Sequence, residues 1–120
     1  MPSRILIVED SQLVTSAFQI IFEDAGYTVA AAGTVAEAIE RGTNETVDLM
    51  LLDLSLPDGN GLEVLTTLRE RGSLPRATLA MTGHNDPKSR RTCIEAGCAD
   101  VLVKPVPIRE LLRQIEHHLR

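Results

Sequence analysis

The sequence predicts an α/β domain in which a parallel β-sheet carries helices on both of its faces. Short apolar runs alternate with longer segments of helical periodicity five times along the 120 residues. The runs are apolar almost throughout, which is typical of parallel strands buried on both sides. Capping residues, glycine and proline mark the ends of the helical segments. We therefore expect five strand–helix units in one domain that covers residues 1–120.

The first unit begins with the run at 4–8, which predicts strand one. Ser11 can cap the helix that follows, and Gly26 can end it in the left-handed conformation that glycine tolerates. Residues 27–31 predict the second strand. The residues expected on the buried face of the first helix share a helical spacing and are Leu13, Val14, Ala17, Phe18 and Ile21.

The second and third units follow the same order. Thr34 and Glu37 have the spacing of a capping box and predict the start of helix two, which we expect Gly42 to terminate. The run 47–53 predicts strand three, and the periodicity predicts a third helix from about 61 to 71. The proline- and glycine-rich stretch between them is expected to be a turn.

The last two units are marked by proline, glycine and an apolar stripe. Residues 77–82 predict strand four. Asp86-Pro87 suits the start of a fourth helix, with proline in its first turn, and Gly97 suits its end. Residues 100–103 predict strand five. The final helix places its apolar residues on one stripe, formed by Ile108, Leu111, Leu112, Ile115 and Leu119.

Five units of this kind suit the flavodoxin-like strand order 2-1-3-4-5, a doubly wound five-stranded parallel sheet with five helices.

Polar residues stand where four of these strands end: Glu9, Asp10, Asp53, Thr82 and Lys104. Because the carboxyl ends of parallel strands share one edge, these side chains should converge. Three close carboxylates repel one another unless a cation lies among them. The pattern predicts a divalent-metal site with a lysine that can hold an anion, which is the chemistry of phosphoryl transfer.

Composition agrees with a globular domain and limits its partners. The chain is 43% hydrophobic and 24% charged, and its net charge of −5 argues against direct nucleic-acid binding. No apolar run approaches the roughly 20 residues that span a bilayer. The first residues lead straight into strand one without an apolar leader, so we expect a cytoplasmic protein with no membrane association. Cys93 and Cys98 are expected to be reduced packing residues.

Four features of the chain, in order, resemble the receiver domains of bacterial two-component response regulators. They are the pair Glu9-Asp10, the segment Asp53-Leu54-Ser55-Leu56-Pro57-Asp58-Gly59-Asn60-Gly61, the pair Thr82-Gly83 and the pair Lys104-Pro105. Each feature alone occurs often by chance, but four on the matching strand ends make a specific signal. The resemblance extends from residue 4 to residue 119.

The resemblance implies a phosphoprotein that controls signalling and is not a turnover enzyme. Asp53 would accept a phosphoryl group from the phosphohistidine of a sensor histidine kinase or a histidine phosphotransfer protein. Mg²⁺ would be the cofactor, bound by Asp10 directly, by Glu9 through water, by Asp53 and by the backbone carbonyl of Ser55.

The resemblance also assigns the remaining site residues and a second partner. Lys104 would pair with the phosphoryl oxygens, and Thr82 would donate its hydroxyl hydrogen to one of them. A self-dimer through the face of helix four, strand five and helix five is a further expectation.

Two other functions stay open at this point. A degenerate receiver would use the same fold only to bind proteins, which the complete acidic set disfavours. A small α/β phosphotransfer or nucleotide-binding enzyme would be expected to carry a glycine-rich loop between a strand and a helix, and this chain has none.

Two residues depart from the usual receiver pattern. Val101 stands where receivers commonly carry Tyr or Phe, and Gly83 stands where Ala is more frequent. A valine side chain is short and stiff, whereas glycine gives its loop extra backbone freedom. We therefore expect the signal to leave the site through the loop 82–87 and helix four.

Overall fold

The computed structural model describes residues 2–84 and 86–120. Five strands of the described chain form one sheet: β1 (Arg4–Val8), β2 (Thr28–Ala32), β3 (Leu49–Asp53), β4 (Ala77–Thr82) and β5 (Asp100–Val103). Five helices alternate with them: α1 (Gln12–Asp24), α2 (Val35–Asn44), α3 (Leu62–Glu70), α4 (Pro87–Ala96) and α5 (Ile108–Leu119). None of the helices in these described ranges has the length and apolar character needed to cross a membrane.

The sheet confirms the predicted topology. With its strands numbered in chain order, it runs 2-1-3-4-5 and every pair is parallel. Val8 pairs with Leu52, and Asp53 pairs with Met81, so the carboxyl ends of β1, β3 and β4 lie side by side. The predicted strands at 27–31 and 47–53 differ from β2 and β3 by one or two residues at their ends.

The core consists of two apolar layers, one on each face of the sheet. Successive residues of β1 alternate between them: Ile5 and Ile7 pack on the side that includes Phe22 of α1 and Ile115 of α5. Leu6 and Val8 pack on the other side, with residues of α2, α3 and α4. This alternation is why the strands are apolar throughout, since each face of the sheet is covered by helices.

The predicted caps of three helices are present. The side chains of Ser11, Thr34 and Asp86 accept hydrogen bonds from the N–H groups of the first turns of α1, α2 and α4. Gly26 and Gly97 have positive φ angles of 99° and 113° at the ends of α1 and α4. These positions therefore need glycine for the reason that the sequence indicated.

The prediction that Gly42 ends α2 is wrong. The helix continues to Asn44, and Gly42 lies buried within its last turns. A Cβ atom at this position would lie 2.7 Å from Cδ1 of Leu68 in α3. Gly42 is therefore a packing residue that lets α2 and α3 approach each other, and a sequence pattern cannot separate this role from a helix cap.

The predicted buried face of α1 is partly wrong. Leu13 is 82% exposed and Ala17 is exposed as well, whereas Thr15 and Phe22 are buried. Phe18 stacks on Phe22 with 5.5 Å between the ring centroids. The stripe that faces the sheet is therefore rotated toward Thr15 and Phe22, and it leaves Leu13 and Ala17 on the outside of the helix.

The segment between β3 and α3 contains a small antiparallel hairpin that the sequence did not indicate beyond a turn. Ser55–Leu56 pairs with Gly59–Asn60. We call residues 54–61 the acceptor loop, because it directly follows Asp53, the residue expected to accept a phosphoryl group. A Cβ atom on Gly61 would collide with the backbone carbonyl oxygen of Asp53, so the loop closes tightly on that residue.

Cys93 and Cys98 are buried and not linked by a disulfide, as expected. Both belong to the apolar layer beneath α2, α3 and α4. Burial raises the pKa of both thiols, and the pKa of Cys98 rises to about 12. Thiols in such an environment are chemically inert packing groups.

Candidate functional site

Three carboxylates meet at the carboxyl edge of the sheet. Each of Glu9, Asp10 and Asp53 offers an oxygen atom that lies within 4.8 Å of the corresponding atoms of the other two. Glu9 and Asp53 are only 6% and 4% exposed, whereas Asp10 is exposed to solvent. The strand order explains the cluster, because β1 and β3 are neighbours and both end here.

Lys104 joins the cluster from the end of β5. Its Nζ lies 2.7 Å from Oδ2 of Asp53 and 3.7 Å from Oε1 of Glu9. The backbone N–H of Lys104 donates to the carbonyl oxygen of Thr82 at 2.8 Å, which continues the pairing of β4 with β5. The position of the ammonium group is thus set by the sheet, at the carboxylate that ends the central strand.

Asp53 is also held by the acceptor loop. The backbone N–H of Ser55 donates to Oδ1 of Asp53 at 2.9 Å, so both carboxylate oxygens have a donor. Leu54 donates from its backbone to the carbonyl oxygen of Met81 at 3.2 Å. These contacts keep the carboxylate at the edge of the sheet, with the loop curving over it.

The cluster shifts the pKa of its members in opposite directions. Burial, together with the neighbouring Asp53, raises the pKa of Glu9 to about 7. Burial also acts to raise the pKa of Asp53, but its contacts with Glu9, Lys104 and the Ser55 N–H outweigh burial and lower it. For Lys104, burial favours the neutral form, yet the bond to Asp53 and the surrounding carboxylates raise its pKa.

The donor set fits a hard divalent cation. Mg²⁺ and similar ions prefer carboxylate, carbonyl and water oxygens, and the cluster supplies three carboxylates on one side. A single ammonium group cannot neutralise three ionised carboxylates. A cation would therefore relieve the repulsion from Asp53, which adds to burial in raising the pKa of Glu9.

Thr82 ends β4 as predicted, and it is buried at 5% exposure. Its Oγ1 accepts a hydrogen bond from the backbone N–H of His84 at 3.1 Å. Because a hydroxyl group can accept and donate at once, this bond leaves the hydroxyl hydrogen available for another acceptor.

The two residues that depart from the receiver pattern are both in the described part of the chain. Val101 is buried in β5, and its carbonyl oxygen accepts a hydrogen bond from the Arg90 guanidinium group of α4 at 3.2 Å. The same guanidinium binds Asp100 at 2.8 Å, so one side chain ties α4 to β5. Gly83 has open space around the position of a Cβ atom.

An apolar groove of about 600 Å³, which was not predicted from the sequence, opens beside the carboxylates. Its walls come from α1, from the end of β4 and from the segment after β5. The lining residues are Glu9, Leu13, Val14, Ala17, Phe18, Met81, Lys104, Pro105 and Val106. Glu9 and Lys104 belong to both the groove and the site, so a molecule seated in the groove would lie against the carboxylates.

Curated relatives match this chain over most of its length. It is 38% identical over 119 residues to the TorCAD operon transcriptional regulatory protein TorR of Escherichia coli (strain K12), covering 99% of this chain and 51% of the relative. It is also 38% identical over 102 residues to the alginate biosynthesis transcriptional regulatory protein AlgB of Pseudomonas syringae pv. tomato, covering 85% of this chain and 22% of that protein. The chain thus spans about half, or less, of the length of these relatives.

Solved structures show the same fold. The receiver domain of the TMAO respiratory system response regulator TorR superposes with a TM-score of 0.86 at 37% identity, covering 98% of this chain and 97% of that one. A CheY-like response regulator receiver domain protein from Methanospirillum hungatei JF-1 superposes with a TM-score of 0.90 at 32% identity, covering 99% and 94%. The sequence profile of the response regulator receiver domain matches residues 5–116. This match includes the residues that the sheet brings to one edge: the acidic pair, Asp53 and Lys104. The chain belongs to the family of response regulator receiver domains.

Proposed function

We propose that this chain is a phosphorylation-controlled signalling domain that accepts a phosphoryl group on Asp53. The donor is a phosphohistidine of a sensor histidine kinase or of a histidine phosphotransfer protein. The observation that carries the proposal is the position of Lys104, whose Nζ lies 2.7 Å from the Asp53 carboxylate at the edge where Glu9 and Asp10 also lie.

Asp53 acts as the nucleophile. One of its carboxylate oxygens forms a bond to phosphorus while the bond from phosphorus to the histidine nitrogen breaks, and the imidazole leaves. The lowered pKa of Asp53 keeps this carboxylate ionised and ready to attack. The phosphoryl group stays on the protein's own side chain, so the domain is a signalling switch and not a turnover enzyme.

Glu9, Asp10, Asp53 and the backbone carbonyl of Ser55 would hold Mg²⁺. The ion supplies positive charge that neutralises phosphoryl oxygens during transfer. The cluster supplies three carboxylates, and Mg²⁺ prefers such hard oxygen ligands, which supports this assignment.

Lys104 and Thr82 hold the transferred group. The Lys104 ammonium pairs with a phosphoryl oxygen once Asp53 carries the phosphoryl group, because the negative charge then moves onto that group. Thr82 donates its hydroxyl hydrogen to a second oxygen while it continues to accept from the His84 N–H. Positioning and charge neutralisation by these groups account for most of the catalysis.

The groove beside the site suits the donor protein. It is apolar, it reaches Glu9 and Lys104, and it includes the exposed side chain of Leu13. A donor that packs on these residues would bring its phosphohistidine to Asp53, and such exchange with a kinase would take place in the cytoplasm. For a second copy of the chain, we propose the face of α4, β5 and α5 as the contact.

The test is the phosphoryl adduct itself. Wild-type protein, Asp53→Asn and Asp24→Asn are incubated with acetyl phosphate, with Mg²⁺ or with EDTA, and their intact masses are measured. Asp24 is exposed at the end of α1 and serves as the matched control. We expect an adduct that requires Mg²⁺ in the wild type and in Asp24→Asn, and none in Asp53→Asn. A Mg²⁺-dependent adduct on Asp53→Asn would contradict the proposal.

A further inference from the structure

Asp58 lies in the acceptor loop but binds a different element. Its Oδ1 accepts a hydrogen bond from the backbone N–H of Val35 at 2.7 Å, and its Oδ2 accepts from Ala36 at 3.1 Å. These are the first two residues of α2, whose N–H groups have no partner within the helix. The bond from Val35 is the main contact that lowers the pKa of Asp58, as expected for a carboxylate at a helix N-terminus.

This contact is not the ordinary cap of α2. The helix already has a local cap, because Thr34 Oγ1 accepts from the N–H of Glu37 at 3.1 Å. Asp58 is 22 residues further along the chain than Ala36. It therefore serves as a tertiary tie between α2 and the loop that follows Asp53.

Both ends of the acceptor loop contact Asp53. Ser55 donates its N–H to the Asp53 carboxylate, and Gly61 packs on the Asp53 carbonyl so closely that a side chain would not fit. The turn of the hairpin, at residues 57–58, lies between these two ends of the loop. Asp58 fixes that turn.

The start of α2 is itself connected to the carboxylate cluster. The backbone N–H of Glu9 donates to the carbonyl oxygen of Ala32 at 2.9 Å, at the end of β2. Only Gly33 and Thr34 separate Ala32 from α2. A closed path of contacts thus runs from Glu9 through the start of α2 to Asp58, and through the acceptor loop back to Asp53.

We infer that Asp58 is a positioning residue for phosphoryl acceptance: by tying the acceptor loop to α2, it holds the backbone of Ser55 in place at Asp53 and at the metal position. This inference rests on the proposed function. Its physical basis is that a group which orients metal ligands lowers the cost of ordering them when the metal binds. By the same reasoning, binding at Asp53 strengthens the tie to α2, since coupling between two positions is reciprocal.

The experiment compares Asp58→Ala and Asp58→Asn with Thr34→Ala. Each variant removes or weakens hydrogen bonding at the N-terminus of α2, but only the Asp58 variants alter a contact of the acceptor loop. Amide exchange at Ser55 is measured by NMR on metal-free protein, and Mg²⁺ affinity is measured by calorimetry at a fixed concentration of beryllofluoride.

We expect faster exchange at Ser55 and about tenfold weaker Mg²⁺ binding in Asp58→Ala, at the lower end of the effects seen when groups that orient metal ligands are removed. Asp58→Asn retains one acceptor oxygen and should lie between Asp58→Ala and the wild type. Thr34→Ala should lower the melting temperature and leave both other quantities unchanged.

Two outcomes overturn the inference: Ser55 exchange that is the same in Asp58→Ala and the wild type, or Mg²⁺ affinity that falls equally in Asp58→Ala and Thr34→Ala. A wild-type protein that forms no Mg²⁺-dependent adduct with acetyl phosphate would instead contradict the proposed function. In that case Ser55 exchange in the metal-free protein still decides whether Asp58 holds the loop.

Discussion

Glu9 has an ionisation state that depends on its surroundings in the folded protein. It is a buried carboxyl group next to a second carboxyl group, and these surroundings raise its pKa from 4.5 to about 7. In the unfolded chain neither effect is present. The folded, metal-free protein therefore binds a proton at Glu9 more tightly than the unfolded chain does.

This difference predicts a pH-dependent stability. A raised pKa contributes stability that is complete below the unfolded value of 4.5 and is lost as the pH rises through about 7. In EDTA, the free energy of unfolding of the wild type should fall across this window relative to that of Glu9→Gln. Urea denaturation at a series of pH values measures it, and saturating Mg²⁺ should reduce the difference. Parallel pH profiles for the two proteins would contradict the pKa shift.

Lys104 offers a second test at the residue scale. Beryllofluoride would stand in for the phosphoryl group that we propose on Asp53, so it should stabilise the protein strongly, and only when Mg²⁺ is present. Lys104→Ala removes the cation closest to that anion and should reduce the rise in melting temperature. Lys88→Ala, at an exposed position on α4, is the control and should respond as the wild type does. An equal rise in all three proteins would exclude the role given to Lys104.

The sequence was informative about these residues for a geometric reason. Asp53 is the last residue of its strand, Glu9 and Lys104 directly follow theirs, and the ends of parallel strands meet at one edge. The role of Asp58 could not be predicted in this way, because its hydrogen bonds to the start of α2 depend on how the acceptor loop folds. Gly42 was misassigned for a related reason, since only the presence of Leu68 shows why glycine is needed.

At the scale of elements, α1 exposes large apolar side chains to solvent that do not pack in the core. Leu13 and Ile20 are 82% and 70% exposed on this helix, but only Leu13 lines the groove beside the site. This difference provides a matched pair of variants for the docking of a donor protein.

We predict that Leu13→Ser slows phosphoryl transfer from a histidine kinase or phosphotransfer protein by about tenfold or more, equivalent to roughly 1.4 kcal/mol of lost binding. Ile20→Ser should leave that rate close to the wild-type value. Neither variant should change the rate with acetyl phosphate, which needs no protein contact. Quantifying the radiolabelled phosphoprotein over time gives all the rates. Equal rates of kinase-dependent transfer in the two variants would show that the groove is not the docking surface.

The rotation of α1 explains why this surface was not predicted. The apolar surface of α1 is wider than the part of the helix that the sheet can cover. It includes Leu13, Val14, Ala17 and Phe18. Periodicity gives the direction of such a stripe to within about one residue. The packing of Phe22 in the core decides which side of this apolar surface is exposed to solvent. Because that packing is a tertiary contact, the sequence pattern does not reveal it.

At the scale of the molecule, the topology was predictable because few arrangements satisfy five consecutive parallel units. Right-handed crossovers and helices on both faces leave the order 2-1-3-4-5 as one of two common solutions, and five units favour it. The small hairpin of the acceptor loop was not predictable, because pairs of two residues carry almost no periodic signal.

The path of the signal across the molecule gives the last prediction. Val101 is buried and short, and Arg90 ties its backbone to α4. We expect beryllofluoride with Mg²⁺ to change hydrogen exchange most at 54–60 and 82–90, and little at 100–112; residue 85 of the second range lies outside the described residues. Mass spectrometry of peptides, with Asp53→Asn as the control that should not respond, measures this. A strong change confined to β5 and the start of α5 would show that Val101 transmits the signal.

The buried cysteines make the chain convenient for labelling. Maleimides react with accessible thiolates, and both native thiols are buried with raised pKa values. A cysteine introduced at the exposed position of Lys88 would therefore take a fluorescent dye alone, without replacement of the native pair. Conversely, modification of Cys93 would occur only when α4 separates from the sheet. The rate of that reaction reports the opening of this helix in the unaltered sequence.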